Sequence, residues 1–272
     1  MDVVRPEFGP DASLSREEME SLQRDIADAA VFEDALDVDP GAVRTGSVDE
    51  GQASLLDATD EADPTASDAP VVAGVDQAFV DDTAVSAVVA LRDGEVVERA
   101  HAVADTEIPY VPGLLSFREG TAILRAFEAL DVDPDLALVD GSGRIHFREA
   151  GIATHVGVML DLPTVGVAKS LLCGHLRDPP EGHMAAGERV PVVADDSMTA
   201  PDGTVVGYAL QSRQYDNPER RHVNPLYVSP GHRVGAATAA DLVWQTCAGY
   251  KLPEPTRLAD ADAAELTETV DT

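Results

Sequence analysis

Residues 71–80 read VVAGVDQAFV, a strand apolar on both faces, and this stretch limits the fold more than any other. A strand without a polar face belongs inside a sheet covered from both sides. Two more strands are predicted directly after it, TAVSAVVALR (83–92) and the alternating EVVERAHAVAD (95–105). Asp93-Gly94 between them is a strong hairpin signal. A helix-period segment follows at 114–130, LLSFREGTAILRAFEAL, then a short buried strand, DLALVDG (135–141). GIATHVGVMLD (151–161) reads as a helix, PTVGVAKS (163–170) as another buried strand, and 235–249 as a last helix. Antiparallel hairpins, a helix, then strand–helix–strand give an α/β chain: a mixed sheet with helices on both faces, in the ribonuclease-H-like order.

The flanks differ from this core. SREEMESLQRDIADAAVF (15–32) predicts an amphipathic helix, with Ser15 and Glu18 spaced as a capping box. The expected layout is an N-terminal helix region (1–32), an acidic linker or insertion (33–70), a core (71–252) and an acidic C-terminal tail (253–272). Formal net charge is −31, and Lys169 and Lys251 are the only lysines. Residues 1–70 alone carry 19 acids and four bases. Such a surface suits concentrated salt, where screening shortens the reach of self-repulsion to roughly 3 Å at 1 M. The start of the chain lacks the basic and apolar regions of a signal peptide, and no apolar run approaches membrane-spanning length. A cytoplasmic protein with no membrane partner is expected. Cys173 and Cys247 suggest neither a disulfide framework nor a zinc site.

Three carboxylates stand in unusual places. Asp76 interrupts an apolar strand, Asp140 ends another, and Glu119 lies on the helix between them. A buried carboxylate needs a partner or a metal. If the two strands are neighbours and the helix crosses them, the three converge on an all-oxygen site suited to Mg²⁺ or Mn²⁺. Two have a plainer alternative, and Asp76 is the least easily dismissed. Asp140-Gly141 is an ordinary turn signal, and Glu119 alone is an exposed helix residue. GVAKS lacks the glycines of a phosphate-binding loop, and no Gly-x-Ser-x-Gly elbow is present.

The segments VAGVDQAF, PYVPGLLSFREG, LALVDGSGRIH, GIATHVGVMLDLPTVGVAKSLL and NPLYVSPGHRV occur in that order, and the chain resembles the endonuclease V family. The resemblance spans roughly 14–30 and 71–250. It implies a Mg²⁺-dependent nuclease of ribonuclease-H-like fold, which nicks DNA near a deaminated base, chiefly inosine. Inosine-containing RNA and a non-catalytic nucleic-acid-binding module are the alternatives. By the same resemblance Asp76, Glu119 and Asp140 hold the metal, and His232 and Lys169 join them in the active site. Pro109, Tyr110, Val111 and Pro112 form a wedge that enters the strand beside the lesion. Prolines fix φ there, so the loop is stiff. Gly113, Leu115, Gly141, Gly143, Ile152 and Leu172 line a pocket for the flipped base. The glycines would let backbone groups approach a base edge. Ser142, Phe147 and Thr154 depart from the family's usual residues.

A chain this acidic must still meet a polyanion. Arg118, Arg144, Arg148, Arg213, Arg220, Arg221 and Arg233 are expected to form a basic strip near these motifs. A monomer without a small-molecule organic cofactor is expected.

Overall fold

The computed structural model describes residues 1–44, 68–106, 108 and 111–270. Strands β1 (Val71–Val80), β2 (Thr83–Arg92) and β3 (Glu95–Asp105) form an antiparallel meander with the predicted bounds. Asp93 and Gly94 both take positive φ, as a tight hairpin turn requires. Helix α2 (Leu115–Glu128) leads to β4 (Leu136–Asp140), and α3 (Ile152–Leu160) to β5 (Thr164–Ala168). Strands β1, β4 and β5 run parallel.

The sheet continues further than the hydrophobic pattern suggested. Four more strands complete it: β6 (His175–Leu176), β7 (Arg189–Val193), β8 (Val205–Leu210) and β9 (Leu226–His232). The nine strands lie in the order β3-β2-β1-β4-β5-β9-β8-β7-β6, and β9 is antiparallel to β5.

Alternation along the central strands sends side chains to two cores. Ala73, Val75, Ala137 and Val139 pack with Ile123, Phe127, Val156 and Met159 of α2 and α3. Val72, Leu136, Leu138, Val165 and Val167 face the other way, onto Leu242 and Val243 of α4 (Ala236–Gln245). Each fully buried Val, Leu, Ile, Phe or Met side chain contributes about 1.5–3 kcal/mol. Helix α1 (Arg16–Ala29) lies outside α3, with Ile26 against Ala150 and Val158. Its Ser15–Glu18 capping box forms as predicted.

Two flanking expectations need correction. Of the expected tail at 253–272, the described residues form a docked helix: α5 (Glu254–Val270) packs along β1 and β2, burying Thr256, Ala259 and Ala263. Gly74 makes this docking possible, since a Cβ there would lie 2.0 Å from the carbonyl carbon of Pro255. The stretch 33–44 is not a free linker either. Asp34 accepts hydrogen bonds from the Gly235 N–H and the Thr238 hydroxyl, both at 2.7 Å, capping α4 from a distance. Val43 is buried in the core beneath α4. Residues 45–67, the rest of the expected insertion, lie outside the described residues.

Candidate active site

The parallel register of β1 and β4 pairs Val75 with Val139, so the next residues, Asp76 and Asp140, emerge side by side. Both project to the face that α5 covers, and α5 brings Asp260 to them. One carboxylate oxygen from each of Asp76, Asp140 and Asp260 lies within 4.8 Å of the others. Asp76 is buried, and desolvation together with the Asp140 charge pushes its carboxyl up to about 8.

Lys169, one residue past β5, reaches the cluster. Its Nζ lies 2.7 Å from Asp140 Oδ2 and 3.5 Å from Asp260 Oδ1. Burial opposes its charge, but Asp140, Asp76 and Asp260 hold the ammonium above the ordinary lysine range. One cation faces three carboxylates, so the site lacks positive charge. That deficit, with oxygen donors only, fits a hard divalent cation.

Glu119 stays outside this trio. It comes from α2, on the opposite face of the sheet, and is buried there. Desolvation, set against the nearby Arg118 charge and aided by Asp140, pushes it up to about 8.

His232 does not join the cluster. It pairs with Thr164 at the start of β5, whereas Asp140 pairs with Val167 near the end of that strand. Three residues of strand separate the two levels by roughly 10 Å. There the Val31 N–H donates to His232 Nδ1 at 3.2 Å, so Nε2 carries the proton toward Asp161 Oδ1 at 3.1 Å. Burial lowers its pKa against the pull of Asp161. Its described contacts tie the N-terminal segment and the end of α3 to β9.

Beside the carboxylates lies a cavity of about 150 Å³. A cavity of that size can hold a benzene-sized ring. Gly113, Leu115, Ile152 and Leu172 line it, as does Pro112 of the expected wedge. Ala168 and Ser170, on either side of Lys169, also line it, whereas the three carboxylates do not. Gly141 and Gly143 serve otherwise. The Gly143 N–H donates to Ser229 Oγ at 2.9 Å, and a Cβ on Gly143 would lie 2.2 Å from the Pro230 oxygen. Gly141, at φ +142°, has Ile152 Cγ2 only 2.5 Å from where a Cβ would be. These glycines seat the turn after β4 against its neighbours rather than opening backbone to the cavity.

Two wall residues escaped the sequence reading. Gln23 of α1 is buried and donates to the Gly113 oxygen at 2.8 Å, while its Oε1 accepts from Arg148 at 3.0 Å. His146 Nε2 lies 3.2 Å from the same Gly113 oxygen, and its Nδ1 accepts the Arg148 N–H. Burial lowers its pKa to about 4, so the ring is neutral and Nε2 bears the proton. The signal for Gln23 was a polar residue on the stripe of Met19 and Ile26. Of the expected wedge, Val111 packs against Met19, Leu114 and Phe117, and Pro109 and Tyr110 lie outside the described residues.

The expected arginine strip is divided. Arg144 pairs with Glu149, Arg148 with Glu20 and Arg233 with Asp37, at 2.8, 2.6 and 2.8 Å. Arg118 donates to the Ile108 oxygen and lies over the Phe79 ring. Arg213, Arg220 and Arg221 make no ion pair among the described residues.

The family described as Endonuclease V matches residues 54–261. A protein of that description from Haloarcula marismortui is 63% identical over 271 residues, covering 98% of each chain. The crystal structure of endonuclease V from Streptomyces avermitilis is 30% identical, covers 97% of each chain and superposes with a TM-score of 0.72. Endonuclease V of Ciona intestinalis, in complex with DNA containing an inosine followed by a ribo-adenosine, shares the fold at 22% identity and a TM-score of 0.68, covering 93% of this chain and 98% of its own.

Proposed function

The chain belongs to the endonuclease V family, and from that premise we propose that it hydrolyses one phosphodiester bond 3′ to a deaminated base, chiefly inosine, in DNA repair. The observation that carries this is the Asp76–Asp140–Asp260 cluster, with a ring-sized cavity lined by the residues on either side of Lys169.

The three carboxylates are the residues that would hold Mg²⁺ or Mn²⁺, with Glu119 close enough to sense their charge. When bound, such a cation activates water and offsets charge on the leaving oxygen. Lys169 is half-exposed at the rim, where its ammonium can turn from Asp140 to a phosphate oxygen. Gly113, Leu115, Ile152 and Leu172 enclose the flipped base. Gln23 and His146 both engage the Gly113 carbonyl, so the mouth of the cavity keeps its shape without substrate. Extruding a base unstacks it, and a stiff residue entering the gap offsets part of that cost. We assign that role to the Pro109–Pro112 segment and its Tyr110. Tyr110→Ala should then weaken discrimination of inosine from adenine more than it weakens binding to undamaged DNA.

We read the protein as a monomer acting in the cytoplasm. Among the described residues, no helix is long and apolar enough to cross a membrane. The deciding experiment is a nicking assay on inosine-containing duplex and single-stranded DNA and RNA, with and without Mg²⁺, in molar salt. Metal-dependent cleavage of inosine DNA is expected. Cleavage confined to RNA would move the assignment to an endoribonuclease, and binding without cleavage would leave only a nucleic-acid-binding module.

A further inference from the structure

We propose that the loop between β8 and β9, with Arg213, Tyr215, Arg220 and Arg221, is a shelf for the sugar-phosphate backbone flanking the reacting nucleotide, and that His183 and His222 extend it. The proposal rests on the nuclease assignment above and adds to it a second place where the same strand is held.

Position is the first support. Tyr227 at the start of β9 pairs with Ala168 at the end of β5, beside Lys169. Leu210 at the end of β8 pairs with Leu226 of β9 and with Arg189 at the start of β7. The loops 211–225 and 177–188 therefore rise from the same end of the sheet as the carboxylates. Three strand spacings separate β4 from β8, roughly 14 Å. At a rise of 3.4 Å per base, that is about four nucleotide steps.

Charge is the second. The chain has 19 basic residues against 50 acidic ones, and several of its other arginines are neutralised by ion pairs. Arg213, Arg220 and Arg221 have no such pair among the described residues, although Asp216 and Glu219 share their loop.

Rigidity is the third. Gln211 is buried and donates to the oxygens of Arg213 and Val223 at 2.6 and 2.8 Å. Gln214 Oε1 accepts the N–H groups of Tyr215 and Val223, each at 3.1 Å, and its Nε2 reaches the Met184 oxygen. The Ser212 hydroxyl donates to the Lys251 oxygen at 2.5 Å. The loop is thereby tied to both neighbouring connections. It presents its guanidinium groups in a fixed arrangement over an aromatic base: Arg221 and Arg213 lie 4.3 and 5.2 Å from the Tyr215 ring centroid. His183 and His222, both exposed, stack at 4.3 Å with their planes 27° apart.

Guanidinium forks match phosphate oxygens in pairs, and flat exposed rings accept sugars and bases by stacking. Both contacts act at short range, which suits a protein in strong salt, where long-range attraction is screened.

The test uses the full chain and an Arg220→Gln/Arg221→Gln variant, with inosine-containing DNA whose flanks are lengthened separately on each side of the lesion. Dissociation constants across a salt series and nicking rates at saturating protein are measured. For the wild type, affinity should rise as one flank, and only one, grows past about four nucleotides. The variant should bind the long duplex about tenfold more weakly, match the wild type on the short one, and show a salt slope lower by about 1–2. Nicking at saturating protein separates a loss of binding from a loss of the nuclease itself. Wild-type affinity indifferent to both flanks, or equal binding of the long duplex by both proteins, would overturn the shelf. A wild type that shows the flank effect but nicks nothing would support the shelf and sink the catalytic assignment instead.

Discussion

The two ends of the parallel strands make opposite use of buried charge. At the C-terminal end, Asp76, Asp140 and Asp260 face a single lysine, and the carboxyl of Asp76 is driven far from its ordinary range. At the other end, His232 sits between a donor N–H and Asp161, and Arg233 engages the Asp161 carbonyl oxygen and Asp37. Both ends contain a buried titratable group beside ionic partners. Arg5 and Arg233 stand against Asp161 and Asp37 at the second end, whereas the first sets one lysine against three acids. A balanced end holds segments together, whereas an unbalanced end is complete only with something added.

The largest effect should come from relieving the imbalance. Asp140→Asn or Asp260→Asn should cut nicking on the order of 10³-fold, equivalent to about 4 kcal/mol of transition-state stabilisation. The metal-free melting temperature should hold or rise, because like charges have been removed. Single-turnover rates and thermal melts check both halves, and a variant that nicks normally would erase the contrast between the ends.

Next is the balanced end. His232→Ala leaves the Val31 N–H and Asp161 without their partner and opens a cavity, costing about 2–3 kcal/mol. For a chain of this size, the melting temperature should fall by roughly 5–10 °C. Nicking below the melt should persist. Lost activity with unchanged stability would place His232 in the chemistry after all.

Proton linkage sharpens the comparison further. Asp76 and Glu119 titrate near 8 in the metal-free fold, against about 4 when unfolded. Protons are then retained on folding, so this stability is complete below about pH 4 and is lost as pH rises through about 8. Melts without metal should decline across that window. Mg²⁺ should restore most at the alkaline end and should release protons on binding, which calorimetry in buffers of different ionisation enthalpy would detect. Asp140→Asn should flatten the decline, and His232→Ala should not.

The smallest effect concerns salt. Raising it from dilute to molar should stabilise the wild type by screening its exposed carboxylates. The buried cluster is screened far less, so the stability difference between wild type and Asp140→Asn should change by under about 0.5 kcal/mol. A difference that vanishes in molar salt would mean the cluster behaves as ordinary surface charge.

The first half of the sheet was legible because it is long and regular. Strands 71–80 and 83–92 are long apolar runs, 95–105 alternates after Asp93-Gly94, and the lone acid in an apolar run exposed Asp76. The second half was not. β6 has two residues, β7 contains Pro191, and β9 contains Pro230 and Gly231, which interrupt the apolar alternation. α5 was hidden by its composition. Its buried stripe is made of small residues, Ala259 and Ala263, which look weakly hydrophobic yet allow the closest approach to β1. The prolines at 253 and 255, suited to a helix start, were the available signal. Missing that helix meant missing Asp260. His232 was misplaced for a different reason: its role came from a motif likeness, and neighbours in a motif need not share an end of a strand.

Gly74 carries a consequence beyond packing. It seats α5 against β1, and α5 supplies an acid separated from Asp76 by most of the chain. During synthesis, Asp76, Asp140 and Lys169 leave the ribosome long before Asp260 does. The site is therefore completed late: its third carboxylate arrives only when α5 docks on a sheet that has already formed.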